Sequence, residues 1–241
     1  MKKILSLLTT ALLLIGCSPS KGGFEMKQIK DEISWKNSLI QFRTHTDLDE
    51  EGGHYLGFDA SLKKEDGKTI HMPLDAYGPG YGASFPLGTL GLYKPDKGIG
   101  TTEILSMTDE KMVIHIGYNQ WTVVDVPVVL DKQITLFRDS PIMSVIDYYT
   151  GHFDLLNVAA GLTTATEGEV SKIENGFVIE YPTYGITAVI VMPGAEQAST
   201  DETSGYAFVK KAVADNEPLR YYVGLSDKGK EYLLDELTKI L

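Results

Sequence analysis

The sequence predicts an antiparallel β-sandwich closed by one α-helix at the C-terminus. Short stretches of alternating or β-branched residues recur along the chain, and Gly, Pro, Asn and Asp separate them at short intervals. After Lys228, leucine recurs every fourth residue at Leu233, Leu237 and Leu241, which is the stripe of an amphipathic helix. Many short strands and one terminal helix are typical of an antiparallel sandwich. A length of 241 residues fits a single all-β domain.

The first half of the chain predicts five strands. We expect order to begin near Ile33, because the preceding residues are polar and include Gly22 and Gly23. An acidic turn at 47–53 precedes the second strand, and a turn at 65–67 follows it. The predicted strands are residues 35–43, 55–63, 103–107, 111–118 and 121–130.

The second half predicts seven more strands before the helix. Turn residues at 138–141, 175–176 and 193–194 separate them. Residues 156–162 are small and apolar, and residues 186–192 form a continuous β-branched run, so both predict buried strands. The predicted strands are residues 132–137, 142–149, 156–162, 174–181, 186–192, 206–213 and 219–225.

Between the second and third predicted strands, residues 71–93 predict a long loop. Five glycines allow backbone conformations that other residues avoid, and three prolines remove hydrogen-bond donors. Loops of this length in a compact domain usually bind or cover something. Tyr77, Tyr81 and Tyr93 carry amphipathic rings suited to sugars or other hydroxylated ligands. The alternative is a loop that its own aromatic side chains pack over a sheet.

The N-terminus predicts a bacterial lipoprotein signal. Lys2 and Lys3 precede an apolar run, and the residues Leu-Ile-Gly-Cys at 14–17 match the lipobox in which the cysteine becomes the lipidated first residue. We therefore expect a signal peptide at 1–16, a lipidated tether at 17–30 beginning with Cys17, and one domain at 31–241. Ser18 resembles the sorting pattern of outer-membrane lipoproteins, and we expect a periplasm-facing protein. The alternative is a cleaved secretory peptide with an incidental cysteine.

Composition excludes several classes of function. The chain carries 22 basic and 33 acidic residues, and no cluster of Lys and Arg with interleaved aromatics, so we expect no nucleic-acid partner. Cys17 is the single cysteine and can form neither an intramolecular disulfide nor a cysteine zinc cluster. The apolar run at 4–15 is shorter than the roughly 20 residues that a membrane-spanning helix needs. The membrane contact that we expect is the lipid anchor.

Several phrases, taken in order, resemble the bacterial domain-of-unknown-function family 4861. The phrases are Trp35 and Asn37 with Phe42-Arg43, then 57–64, 77–92, 134–136 and 157–162. The family comprises secreted or lipidated proteins often encoded among polysaccharide-degradation genes. The resemblance implies a β-supersandwich like that of galactose mutarotase. It also implies an oligosaccharide ligand that contains uronic acid.

Elimination from a uronate needs a base, an acid for the leaving oxygen and a partner for the carboxylate. Histidine and tyrosine are suitable proton-transfer groups, and arginine is a bidentate partner for a carboxylate. We therefore nominate His71 and Tyr81 as acid and base, Arg43 as the carboxylate clamp and His54 as a further proton-transfer candidate. Each has a structural alternative, because loop histidines are commonly solvated and Arg43 could pair with a surface carboxylate.

Aromatic side chains are candidates for stacking on a sugar ring. We nominate Tyr77, Tyr93 and Trp121, although a tryptophan at the start of a strand is more often part of the core. No G-x-S-x-G or H-E-x-x-H motif occurs, so neither a serine-hydrolase triad nor a metal or other cofactor is predicted. A calcium site in the acidic turn at 47–51 is a weaker alternative to a solvated turn.

These observations favour a lyase or dehydratase that acts on uronate-containing oligosaccharides by proton transfer. Two alternatives stay open. One is a non-catalytic glycan-binding lipoprotein, and the other is a structural envelope protein whose loop contacts a partner protein. Convergence of His71, Tyr81 and Arg43 in one concave pocket would favour catalysis over binding.

Overall fold

The computed structural model describes residues 23–46, 58–64, 66–72, 81–88, 91–92, 98–164, 168–201 and 206–241. Eighteen strands and one helix lie in these ranges. The first nine strands are β1 Glu25–Ile29, β2 Glu32–Lys36, β3 Ile40–His45, β4 Asp59–Lys63, β5 Thr69–Met72, β6 Tyr81–Gly88, β7 Gly91–Leu92, β8 Ile99–Met107 and β9 Lys111–Val123. The others are β10 Val126–Phe137, β11 Ile142–Gly151, β12 Leu156–Thr163, β13 Glu169–Ile173, β14 Gly176–Tyr181, β15 Ile186–Val191, β16 Gln197–Asp201, β17 Tyr206–Val213 and β18 Pro218–Ser226, followed by α1 Lys230–Ile240.

The strands form three antiparallel sheets. The first sheet is a meander in the order β1-β2-β3-β4-β5. The large sheet has eight strands in the order β13-β14-β15-β18-β11-β10-β9-β8, and the third sheet has the order β16-β17-β12-β6-β7. The predicted antiparallel β-supersandwich with a C-terminal helix is confirmed. No helix in the described ranges has the length and apolar character needed to cross a membrane.

Alternation along the strands decides which side chains form the core. In β10, Leu130, Lys132, Ile134 and Leu136 are buried, whereas the alternate residues between them are partly exposed. Apolar side chains from all three sheets join one core, which includes Trp35 and Phe42 of the first sheet. Burial of apolar area stabilises the sandwich by about 25 cal/mol per Å², and the strands are held in register because a one-residue slip would expose these side chains.

The helix packs on the outer face of the large sheet. Leu233 and Leu237 are buried there against Val178, Val189 and Tyr222. The predicted stripe is therefore correct at these two leucines. It is wrong for Leu241, which follows the helix and is 64% exposed.

The N-terminal strands begin earlier and turn sooner than the sequence predicts. Phe24 is fully buried and β1 pairs with β2, so the first sheet begins before Ile33. The single strand predicted at 35–43 is instead β2 and β3. Asn37 ends β2 because its side-chain oxygen accepts hydrogen bonds from the backbone N–H groups of Leu39 and Ile40, both at 2.9 Å.

The loop predicted at 71–93 is wrong over much of its length. β5 continues to Met72, and residues 81–88 and 91–92 form β6 and β7. β6 pairs with β12, and Pro86 is buried opposite Val158. On its other edge, β6 pairs with β7 through Leu87 and Gly88 and not through Pro86. The absence of an N–H group on Pro86 therefore removes no hydrogen bond between β6 and β7. Tertiary pairing thus overrides the low strand propensity of glycine and proline.

The strand predicted at 121–130 is also wrong, because the chain turns in its middle. β9 runs on to Val123 and β10 starts at Val126, so Val124 and Asp125 form a two-residue hairpin turn. Both have positive φ, 47° and 66°. A β-branched residue rarely adopts this conformation, so the sequence contains no usual signal for the turn. The turn predicted at Asn175 is confirmed, with a φ of 55°.

Candidate functional site

The outward side of the first sheet is polar across its whole width. The same alternation that buries Trp35, Phe42 and Leu62 turns hydrophilic side chains to the solvent side. Strand register aligns one of them from each strand in a transverse line, which we call the polar row. Its members are Glu25, Lys36, Gln41, Ser61 and His71.

A cavity of about 330 Å³ opens on this face, and we call it the Lys63 cavity. Polar side chains dominate its lining. They are Lys36, Asn37, Ser38, Gln41, Ser61, Lys63 and Thr69. No Asp or Glu is among the described lining residues. Asn37 fixes one wall, because its amide donates to the carbonyl oxygens of Phe137 at 2.7 Å and Ser140 at 2.8 Å, which ties the β2–β3 turn to the large sheet.

The two lysines of the cavity differ in their partners. The ammonium of Lys36 lies 2.8 Å from a carboxylate oxygen of Glu25. Lys63 is exposed, and the described part of the chain offers its ammonium no ion pair. The cavity therefore carries one positive charge that the surrounding described residues do not balance. Sequence reasoning missed both lysines, because their convergence depends on the pairing of β2 with β3 and of β3 with β4.

His71 lies at the end of the polar row beside this cavity. Its Nδ1 is 2.8 Å from the hydroxyl oxygen of Ser61, which itself lines the cavity. The ring is exposed. His71 therefore lies beside the cavity on the strand β5 rather than in a loop, and its role as a proton-transfer group stays a prediction.

Arg43 lies on the same face in the neighbouring row, where two carboxylates hold it. Its Nε donates to Asp59 at 2.6 Å, and its terminal nitrogen donates to Glu32 at 3.2 Å. Burial raises the pKa of Asp59, and the guanidinium of Arg43 opposes that rise. Arg43 does not line the Lys63 cavity and already has its anionic partners. The contacts of Arg43 therefore match the alternative stated in the sequence analysis, in which Arg43 pairs with carboxylates of the protein rather than with a ligand.

The other nominated residues do not join His71 and Arg43. Tyr81 begins β6 in the third sheet and pairs with Leu162, so its backbone lies in a different sheet from theirs. Trp121 is 2% exposed and lies in the core, which leaves no ring face for a sugar. Cys17, His54, Tyr77, Tyr93 and the acidic turn at 47–53 lie outside the described residues.

A second polar cluster lies in the core, and we call it the buried network. Lys132 donates to both carboxylate oxygens of Asp147 at 2.7 Å and to the hydroxyl of Tyr221 at 3.0 Å. Ser84 donates to the same carboxylate and is 2.6 Å from the hydroxyl of Tyr149. All five side chains are fully buried. The sequence signal was available, because alternation places Lys132 in phase with Leu130 and Ile134.

Burial dominates the electrostatics of this network. It lowers the pKa of Lys132, whereas the Asp147 carboxylate beside it raises that pKa. Burial and the same carboxylate raise the pKa of Tyr149 and of Tyr221. The network joins the third sheet, through Ser84, to the large sheet. Without access from solvent, its groups hold the sandwich together rather than bind a ligand.

His115 is held on the opposite side of the large sheet. Its Nε2 is 2.9 Å from Asp131 and its Nδ1 is 3.5 Å from Glu103, so a carboxylate lies beside each ring nitrogen. Because those carboxylates lie on opposite sides of the ring, they cannot share a metal ion with it. Within the described ranges, no three His, Cys, Asp or Glu side chains are grouped to bind a metal.

Comparisons with known proteins bear on the fold. Neither a family model nor a curated protein matches the chain, so the resemblance to family 4861 stays a prediction. Among solved structures, the chain is similar to YidC from Thermotoga maritima, with a TM-score of 0.55 and 13% identity over 88% of this chain and 53% of that one. It is also similar to a human-microbiome protein provisionally described as a kojibiose phosphorylase, with a TM-score of 0.50 and 11% identity over 90% of this chain and 36% of that one. The chain thus spans about half of the first protein and about a third of the second, and these likenesses show a shared β-sandwich fold.

Proposed function

We propose that this protein is a lipid-anchored protein of the cell envelope that binds acidic oligosaccharides on the outer face of its first sheet. The observation that carries the proposal is the charge of the Lys63 cavity. Two lysines line it and, among the described lining residues, no carboxylate does. In a chain with 33 acidic and 22 basic residues, such a cavity favours an anionic ligand.

The remaining lining residues suit the hydroxyl groups of a sugar. Serine and threonine hydroxyls and the amide of Gln41 can each donate and accept hydrogen bonds, as sugar hydroxyls do. A volume of about 330 Å³ is at the lower end of the range for small-molecule sites, which suits one or two sugar units. Lys63 would pair with the carboxylate of a uronate, a role for which the sequence analysis nominates Arg43.

Binding has stronger support than elimination. Elimination needs proton-transfer groups that converge on one carbon atom. Among the described residues, His71 is the nominated proton-transfer group beside the cavity, and Tyr81 starts a strand of another sheet. A lyase or dehydratase therefore remains the second candidate, favoured by the position of His71. Anchoring through Cys17 and a periplasm-facing location stay proposals that rest on the lipobox.

Calorimetric titration of residues 18–241 tests the proposal. The ligands are uronate oligosaccharides and neutral oligosaccharides of the same length. We expect saturable binding of a uronate ligand, and we expect Lys63→Met to weaken it about tenfold because a charge-assisted hydrogen bond is lost. Lys111→Met is the matched control, since Lys111 is an exposed strand lysine in the large sheet.

Each outcome has a defined meaning. Equal effects of Lys63→Met and Lys111→Met, or no saturable binding in the panel, would contradict the proposal. The same mixtures are followed by ultraviolet absorbance and product mass. Unsaturated products that disappear with His71→Ala would make the protein a lyase, with the Lys63 cavity as its substrate site.

A further inference from the structure

Ser61 and His71 form a hydrogen-bonded pair on the open face of the first sheet. The two residues lie directly opposite each other on β4 and β5. The hydroxyl oxygen of Ser61 is 2.8 Å from Nδ1 of His71. In the tautomer that carries its proton on Nε2, the hydroxyl donates to Nδ1. This is the arrangement of a nucleophile and its general base, in which the imidazole takes the hydroxyl proton as the oxygen attacks.

The other neighbours of Ser61 are hydrogen-bond donors. Gln41 lies directly opposite Ser61 on β3, on the side away from His71. Lys63 follows two residues later on β4, so its side chain lies on the same face of the sheet. Ser61, Gln41 and Lys63 all line the Lys63 cavity. An amide and an ammonium thus flank the serine, and such donors stabilise the negative charge that develops on a carbonyl oxygen under attack.

The Ser61–His71 pair is open to solvent, unlike the other hydrogen-bonded serines that the site contains. Ser61 is partly exposed and His71 is exposed. Ser84 is fully buried within the buried network. Ser38 gives its hydroxyl proton to the carbonyl oxygen of Arg138 at 3.0 Å, which is not a base. Ser61 is therefore the serine that combines access for a substrate with a partner that can accept its proton.

We propose that Ser61 and His71 are the nucleophile and general base of an esterase that removes O-acyl groups from acidic oligosaccharides. The Ser61 oxygen attacks the ester carbonyl carbon, and its proton passes to Nδ1 of His71. His71 then gives that proton to the departing sugar oxygen, which leaves an acyl group on Ser61. Water attacks this acyl group while His71 takes its proton, and the carboxylic acid and the Ser61 hydroxyl are released. The choice of an acidic sugar rests on the proposed function, whereas the chemistry of the pair does not.

The pair is a dyad within the described part of the chain, where no carboxylate is hydrogen-bonded to His71. A third group normally orients the base. We therefore expect slower turnover than that of a serine hydrolase with a complete triad.

Hydrolysis of 4-nitrophenyl acetate by residues 18–241 tests the chemistry without a sugar. The released 4-nitrophenolate is followed by absorbance, and we expect repeated turnover rather than a single acylation. Ser61→Ala and His71→Gln are each expected to lower kcat/KM by about a hundredfold or more, because nucleophile and base act as a unit. Ser106→Ala and His152→Ala are matched controls that leave kcat/KM unchanged, since both replace exposed side chains outside the first sheet. Urea midpoints equal to that of the unaltered chain would show that all four variants are folded.

Two further measurements locate the nucleophile and separate this proposal from the proposed function. A fluorophosphonate is expected to label the peptide that contains Ser61, and His71→Gln is expected to prevent the labelling. With an O-acetylated uronate oligosaccharide, Ser61→Ala is expected to retain binding in calorimetry while releasing no acetate.

The outcomes distinguish the two proposals. No turnover of 4-nitrophenyl acetate, equal rates in Ser61→Ala and the unaltered chain, or a fluorophosphonate label on another residue would overturn the esterase, even if uronate ligands bind. Turnover that depends on Ser61 without binding of any uronate ligand would support the dyad, but it would overturn the proposed function and the acidic sugar as substrate.

Discussion

The protein holds two kinds of ion pair, one in its core and one on its open face. The side chains of Lys132 and Asp147 are each 0% exposed, and the Lys132 ammonium donates hydrogen bonds to both carboxylate oxygens of Asp147. On the first sheet, the side chain of Arg43 is 36% exposed and that of Glu32 is 35% exposed, while Asp59 beside them is 6% exposed. Loss of one partner from a buried pair leaves a charge without solvent, whereas water replaces a lost partner at the surface.

This difference separates two uses of charge in one fold. The core pair is enclosed by Ser84, Tyr149 and Tyr221, so its hydrogen bonds are specified by three strands of the large sheet and one of the third sheet. The surface pairs leave the neighbouring row free to contact other molecules. We therefore expect charge in the core to control stability and charge on the open face to control binding.

The largest effect is expected from Lys132→Met. The substitution leaves Asp147 as a buried carboxylate without its cation, and such losses typically cost about 3–5 kcal/mol. Urea denaturation of residues 18–241 measures the change in the free energy of unfolding. A loss below about 1 kcal/mol would contradict the enclosed geometry, because it would mean that water reaches Asp147.

The double substitution Lys132→Met with Asp147→Leu sharpens the comparison. It removes both charges, so the cost is expected to be smaller than that of Lys132→Met alone by about 2 kcal/mol or more. The hydroxyls of Ser84 and Tyr221 lose an acceptor, which prevents full recovery. Equal costs of the single and the double substitution would indicate that packing, rather than charge, dominates at this site.

A smaller effect, which depends on pH, is expected from Asp59. Its folded-state pKa is raised, so the folded state binds this proton more tightly than the unfolded state does. The contribution of Asp59 is greatest below the ordinary aspartate pKa, and it is lost as the pH rises through the folded-state pKa. In Asp59→Asn, that part of the decline should be absent, a difference of about 1 kcal/mol or less because Arg43 is partly exposed. Urea midpoints measured from acid to neutral pH would detect it, and a steeper decline in Asp59→Asn would contradict it.

The smallest effect is expected from Glu25→Gln. Glu25 pairs with Lys36 at the surface, and loss of such a pair changes the free energy of unfolding by about 0–1 kcal/mol. The same substitution frees the Lys36 ammonium beside the Lys63 cavity, so we expect acidic ligands to bind more tightly. Denaturation and titration of one sample measure both. A large loss of stability without any gain in affinity would show that this pair belongs with the core pair.

The sequence predicts the parts of this fold that local patterns control. Local residue patterns predict the alternation in β10 and β11 and the leucine spacing at 233 and 237. The turn at Asn175 is likewise predicted by the type of residue at that position. Val124 was missed because its turn geometry is unfavourable for valine, and β6 was missed because pairing with β12 rather than propensity stabilises it.

The candidate site was predicted only in part, for the same reason. His71 was nominated and lies beside the Lys63 cavity. Lys36 and Lys63 were not nominated, because their approach depends on strand pairings across 27 positions of sequence. Arg43 was assigned to a ligand because sequence patterns do not reveal that Asp59 and Glu32 already occupy its guanidinium.

The position of β6 beside β12 also determines how the chain reaches its folded state. Ala160 on β12 pairs with Ser84 on β6, and Asp147 on β11 pairs with Leu219 on β18, so contacts distant in sequence must form together. Chains dominated by such non-local pairing fold slowly, in milliseconds to seconds. During that interval β6 and β12 lack their partners and present unpaired backbone edges, which favour aggregation until the two strands meet.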